Sequence, residues 1–79
     1  MIKVGQIYKD LTGKVFAIVE IFYMCEEYGK AHKIVRVAFP DGRDTCFPAE
    51  SIPYNVLKNG LVAEYSSWNE IKNSKEFKL

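Results

Sequence analysis

The chain is poor in the residues that small domains use when their core is too thin. Two cysteines, Cys25 and Cys46, in 79 residues are too few for a disulfide-dense secreted scaffold. Both are expected as buried, reduced thiols, with no disulfide and no metal. His32 is the only imidazole. A zinc site built on it with the two thiols lacks both a fourth ligand and the close Cys spacing that places two thiolates on one turn. A nucleophile–base pair has the same shortage of partners. The run Lys30-Ala31-His32-Lys33 marks His32 as an ordinary surface histidine.

Charge is equally sparing: 11 Lys+Arg against 10 Asp+Glu give a formal charge of +1. That excludes a polyanionic mimic and a strongly basic nucleic-acid coat. No G-x-x-x-x-G-K or G-x-G-x-x-G phosphate loop is present. The acidic residues Asp10, Asp41 and Asp44 bracket glycines, where turns require them. No enzyme and no cofactor is expected. The longest apolar run, Val15 to Cys25, is interrupted by Glu20 and is about half the length of a membrane-spanning helix. No apolar secretory stretch follows Met1, so the expected setting is cytoplasmic, with no membrane partner.

What is present is 48% hydrophobic and 14% aromatic, enough for one compact soluble domain over 1–79. Glycine and proline recur at Gly5, Gly13, Gly29, Pro40, Gly42, Pro48, Pro53 and Gly60, close to the spacing of short strands. The pattern predicts strands at Val4–Lys9, Lys14–Glu26, Lys33–Phe39, Thr45–Phe47 and Leu61–Tyr65. Pro40-Asp41-Gly42 is a tight hairpin turn, and a single helical turn is expected around Tyr54-Asn55-Val56-Leu57. Ser67-Trp68-Asn69-Glu70 is a capping box that opens a C-terminal helix at about 67–77.

Five short strands with a turn between the fourth and fifth resemble the plan of SH3-like or Tudor-like small barrels. Val4-Gly5-Gln6-Ile7-Tyr8, Val35 to Gly42 and Phe47 to Ile52 carry the likeness, over about residues 4–65. The fold class it implies is mainly β, a five-stranded SH3-like small barrel with a short C-terminal helix. SH3-like domains often bind peptides or nucleic acid through loop aromatics, but the proline-peptide motif is not recognisable here and no binding residue carries over. The Lys-over-Arg, Asn-rich composition and the segment from Tyr65 to Phe77 also resemble small uncharacterised phage or prophage proteins of low-GC bacteria.

The long strand is apolar on both sides. Such a strand normally bends, with its two faces covered by different partners. Val35, Val37, Phe39 and Phe47 are core residues. If Val19, Ile21 and Tyr23 also face the core, Phe22 and Met24 face outward, to be covered by Trp68, Ile71 and Phe77 or by a partner. Phe22, Met24 and Trp68 are therefore the candidate protein-binding residues, with a monomer or homodimer both open. The alternative is nucleic acid bound by Tyr28, Lys30, Lys33, Arg36 and Arg43, although Glu26 and Glu27 face that basic stretch across the hairpin. The expected function is that of a non-enzymatic accessory protein binding a macromolecule, with a protein partner favoured.

Overall fold

The computed structural model describes residues 2–25 and 29–78. It is mainly β: five strands, β1 (Gln6–Lys9), β2 (Val15–Cys25), β3 (Ala31–Ala38), β4 (Asp44–Pro48) and β5 (Leu61–Glu64). They form one antiparallel sheet in the order β4-β3-β2-β1-β5. A 3₁₀ turn (Ala49–Ser51) and helix α1 (Tyr54–Asn59) fill the link between β4 and β5, and helix α2 (Trp68–Asn73) follows β5. Among the described residues the ladder is open, because β4 pairs only with β3 and β5 only with β1.

Turn chemistry sets the hairpins. In the β1–β2 turn, Gly13 N–H donates to Asp10 O at 3.0 Å and Gly13 takes φ +87°. The β3–β4 turn repeats this arrangement, with Gly42 N–H donating to Phe39 O at 3.0 Å and Gly42 at φ +94°. Both are type I turns closed by a glycine in the left-handed region, which only glycine reaches without steric cost.

β2 shows how one strand satisfies two apolar faces. Opposite residues pair regularly from Ala17↔Ala38 to Ile18↔Val37, then the register slips and resumes at Glu20↔Arg36. Val19 is the extra residue of a β-bulge, which bends the strand. On the first face Tyr8, Phe16, Ile18, Val35 and Val37 are buried with Ala49, Ile52 and Val56 from the 3₁₀ turn and α1. On the second, Ile7, Ala17 and Ala38 are buried against Ile71 of α2 and Phe77 beyond it. Ile21 joins the first layer and Val19 the second. The expected shared face of Val19, Ile21 and Tyr23 is thus wrong, because the bulge breaks the alternation between them. Phe39 and Phe47 sit partly buried at the edge of the first layer.

α2 is shorter than expected. Ser67 Oγ accepts from Glu70 N at 3.2 Å, the capping-box contact, but the helix stops at Asn73. Ser74 is extended and its hydroxyl donates to Ile71 O at 2.6 Å, which turns the tail so that Phe77 enters the second layer. The 3₁₀ turn and α1 are longer than the single turn expected, with Pro48 and Pro53 at their starts.

β3 begins at Ala31, two residues earlier than the sequence suggests. Because β4 pairs with β3 only from Ile34 to Ala38, Tyr23–Cys25 and Ala31–Lys33 pair with each other alone. They form a two-stranded arm beyond the sheet. The molecule is accordingly elongated, 43 × 25 × 20 Å, with a Cα radius of gyration of 12.9 Å against about 11.6 Å for a compact chain of this length.

β1 is fixed between β2 and β5 at Gly5, whose N–H donates to Ile18 O and whose O accepts from Tyr65 N, each at 2.9 Å. Gly5 has φ +101°, and a Cβ there would lie 2.0 Å from the Tyr65 carbonyl oxygen. Gly5→Ala is predicted to cost more than about 3 kcal/mol in urea denaturation, whereas Gly13→Ala, strained in φ but facing open space, costs about 1–2 kcal/mol. Equal losses at the two positions would contradict the close approach.

Candidate interaction surfaces

A partly buried polar network ties β1 to β5. Gln6 Oε1 accepts from Tyr8 Oη at 2.9 Å and from Lys3 N at 2.8 Å, while Gln6 Nε2 donates to Glu64 Oε1 at 3.3 Å. The ring of Tyr8 stacks on Phe16, its cross-strand neighbour, at 5.8 Å between centroids. Burial, and then the charge of Glu64, push the Tyr8 phenol above its ordinary pKa. Gln6 and Tyr8 are buried and satisfied, Glu64 and Lys3 close the network from the surface, and together they tie β1 to β5.

The acidic turn residues do what turns require. Asp10 Oδ1 accepts from Thr12 Oγ1 at 2.6 Å and from the N–H groups of Thr12 and Lys14 at 2.9 Å. Asp41 Oδ1 accepts from Arg43 N at 3.0 Å and its Oδ2 from Arg43 Nε at 2.6 Å. Asp44 is drawn into a different contact: Arg36, on β3, donates to Glu20 on β2 at 2.9 Å and to Asp44 on β4 at 3.0 Å. Among the described residues no three His, Cys, Asp or Glu side chains gather where a metal ion could sit. No helix among them is long and apolar enough to cross a membrane, which says nothing of strands.

The sequence-predicted protein-binding residues do not form one patch. Phe22 is half-buried at the root of the arm, opposite Ile34. Met24, 56% exposed, stands on the arm opposite His32, and Tyr23 beside it is 67% exposed. α2 does not cover them, because Ile71 and Phe77 pack over Ala17 and Ala38 nearer the start of β2. Trp68 belongs to that end of the sheet. It is 46% exposed and stands edge-on to Phe77 at 5.7 Å.

The basic residues are scattered as well. Tyr28, like Glu26 and Glu27, lies outside the described residues. Lys30 is exposed beside the arm and Lys33 is half-buried opposite Tyr23. Arg36 is engaged by two carboxylates. Arg43 stands in the β3–β4 turn at the far end of β3 from Lys30.

The thiols are free but exposed, not buried as expected. Cys25 ends the β2 side of the arm and Cys46 lies on the edge strand β4, so neither position has a second layer over it.

Sequence reasoning did not foresee three concave surfaces. The largest, about 440 Å³, runs between the β1–β2 turn and the 3₁₀–α1 segment, with Leu11, Phe39, Phe47, Ile52 and Pro53 in its lining. Two smaller grooves adjoin at Phe39, Pro40 and Lys78: one of about 400 Å³ also lined by Trp68, Lys72 and Phe77, and one of about 270 Å³ also lined by Lys14, Asp41 and Arg43. The Lys14 ammonium and the Arg43 guanidinium approach the Phe39 ring at 5.6 and 5.8 Å. Residues from the first turn, the second turn and the tail meet here, and no local motif announces such a meeting. No protein-family model, curated protein or solved structure matches this chain.

Several titrations set the pH range of the fold. The hydroxyl of Thr12 holds Asp10 below the usual carboxylate pKa, the backbone N–H of Arg43 does so for Asp41, and the Tyr65 hydroxyl, 2.7 Å away, does so for Glu76. The same Tyr65–Glu76 contact, and burial at Tyr8, raise the two phenols. Depressed carboxylates stabilise fully above their unfolded values near about 4, and that contribution is lost as pH falls through the folded ones. Raised phenols stabilise fully below about 10, and theirs is lost as pH climbs through the folded values. The thermal midpoint is predicted to be flat between these limits and to fall on both sides, with Asp10→Asn making the acid limb shallower. A midpoint that rises between about pH 5 and pH 3 would contradict the assignment.

Proposed function

We propose that the chain is a non-catalytic protein-binding domain that uses its two-stranded arm as the contact. The observation that carries this reading is that Tyr23 and Met24 stand largely exposed, on opposite faces of a two-stranded stretch that neither buried cluster reaches. Large apolar side chains exposed this way remove apolar surface from water when a partner covers them, a gain that offsets the rotamer entropy lost on burial. Phe22, at the root, extends the contact toward the body.

The proposal includes an SH3-like barrel, of which the sheet is the paired part. Supporting it are the β1–β5 pairing, the bent β2 and the 3₁₀ turn between β4 and β5. The likeness to phage and prophage proteins adds a setting, that of an accessory protein in a bacterial cytoplasm. Nucleic-acid binding through Tyr28, Lys30, Lys33, Arg36 and Arg43 gains less support, since Arg36 is already neutralised and Arg43 is remote from Lys30.

The test is affinity capture from bacterial lysate with the intact chain and with Tyr23→Ser/Met24→Ser. Both side chains are exposed, so the double variant is expected to stay folded with a thermal midpoint shifted by no more than about 4–8 °C, since each surface change usually stays within about ±0.5 kcal/mol. The reading predicts a salt-resistant, nuclease-insensitive protein partner that the variant loses. Capture of no nuclease-insensitive protein, or retention of every such protein by the variant, would overturn it.

A further inference from the structure

A different surface goes beyond that reading. The two adjoining grooves that meet at Phe39, Pro40 and Lys78 bring together four cations, Lys14, Arg43, Lys72 and Lys78, and a single carboxylate, Asp41. Asp41 is held by Arg43 at 2.6 Å, and among the described residues Lys14, Lys72 and Lys78 have no carboxylate within ion-pair distance. The whole chain has a formal charge of +1, so this strip concentrates positive charge and the remaining surface is net acidic. Such an asymmetry gives a local field that the overall charge conceals.

Beside these cations lies an aromatic platform. Trp68, 46% exposed, is braced edge-on by the buried ring of Phe77. It shares a groove with Lys72, one helical turn along α2, and with Lys78 from the tail. Phe39 lines both grooves, with Lys14 and Arg43 near its ring. Cations that track a phosphate backbone beside a rigid indole on which an unstacked base lies are the requirements for binding a single strand. A duplex keeps its bases stacked and offers the indole nothing, while an acidic peptide uses the cations and leaves the indole without a flat partner.

We propose that the strip formed by Trp68, Phe39, Lys14, Arg43, Lys72 and Lys78 binds single-stranded nucleic acid, phosphates on the cations and a base stacked on Trp68. It shares only Arg43 with the basic stretch noted in the sequence.

Trp68 is the only tryptophan in the chain, so its fluorescence reports on the site directly. The probe is an oligothymidylate of about 12 nucleotides. Its binding is expected to quench Trp68, and affinity is expected to fall roughly 20- to 50-fold between about 50 and about 200 mM salt, as three or four phosphate contacts on a single strand require. Lys72→Ala/Lys78→Ala, with both side chains exposed, is expected to keep its thermal midpoint and to bind at least about ten-fold more weakly. No binding at low salt, binding without quenching, or binding unchanged in the double variant would overturn the proposal. A glutamate-rich peptide of matching charge that quenches Trp68 at equal or lower concentration would overturn it as well, and would assign the strip to acidic protein segments.

Discussion

The burial demand of β2 organises the molecule. A strand whose successive residues are Val, Phe, Ala, Ile and Val has no solvent face, so it needs apolar cover on both sides. A sheet of this size has no second sheet to offer. The chain meets the demand with two short helical segments, the 3₁₀–α1 link over Phe16 and Ile18 and the α2 tail over Ala17 and Val19. The bulge at Val19 marks where this double cover gives out. Beyond it the strand carries Glu20 on one face and becomes progressively exposed toward Cys25.

The surfaces available for binding follow from that limit. Six-residue helices cover only the first half of an eleven-residue strand, and the second half extends past β4 as a two-stranded arm. At the opposite end, the turn closed by Gly42, the start of β2 and the tail after α2 converge around Phe39. Each end therefore has its own chemistry, with Tyr23 and Met24 exposed on the arm and cations with aromatics near Trp68. Between them Arg36 joins Glu20 to Asp44 across three strands, a solvent-exposed arrangement worth little in stability that removes a cation from the middle of the face.

Much of this was legible in the chain itself. Gly13 and Gly42 announced their turns through Asp10 and Pro40-Asp41, and Ser67 with Glu70 announced the start of α2. These are local signals with local causes. The facing of β2 residues past Val19 was not legible, because this bulge uses no glycine in the left-handed region to mark it and its effect depends on the partner strand. The exposure of Cys25 and Cys46 was hidden for a related reason: residue type favours burial, but arm and edge positions are set by strand lengths on neighbouring elements. The strip around Trp68 draws on residues 14, 39, 43, 68, 72 and 78, and only tertiary structure places them side by side.

Native-state hydrogen exchange along β2 tests the two-sided cover most directly. Amides of Phe16, Ala17 and Ile18 lie between both layers and are predicted to exchange only through global unfolding. Those from Tyr23 to Cys25, paired with β3 alone, are predicted to exchange through local opening of much lower free energy. Protection that is uniform along the strand, or weakest at Phe16 to Ile18, would contradict the account.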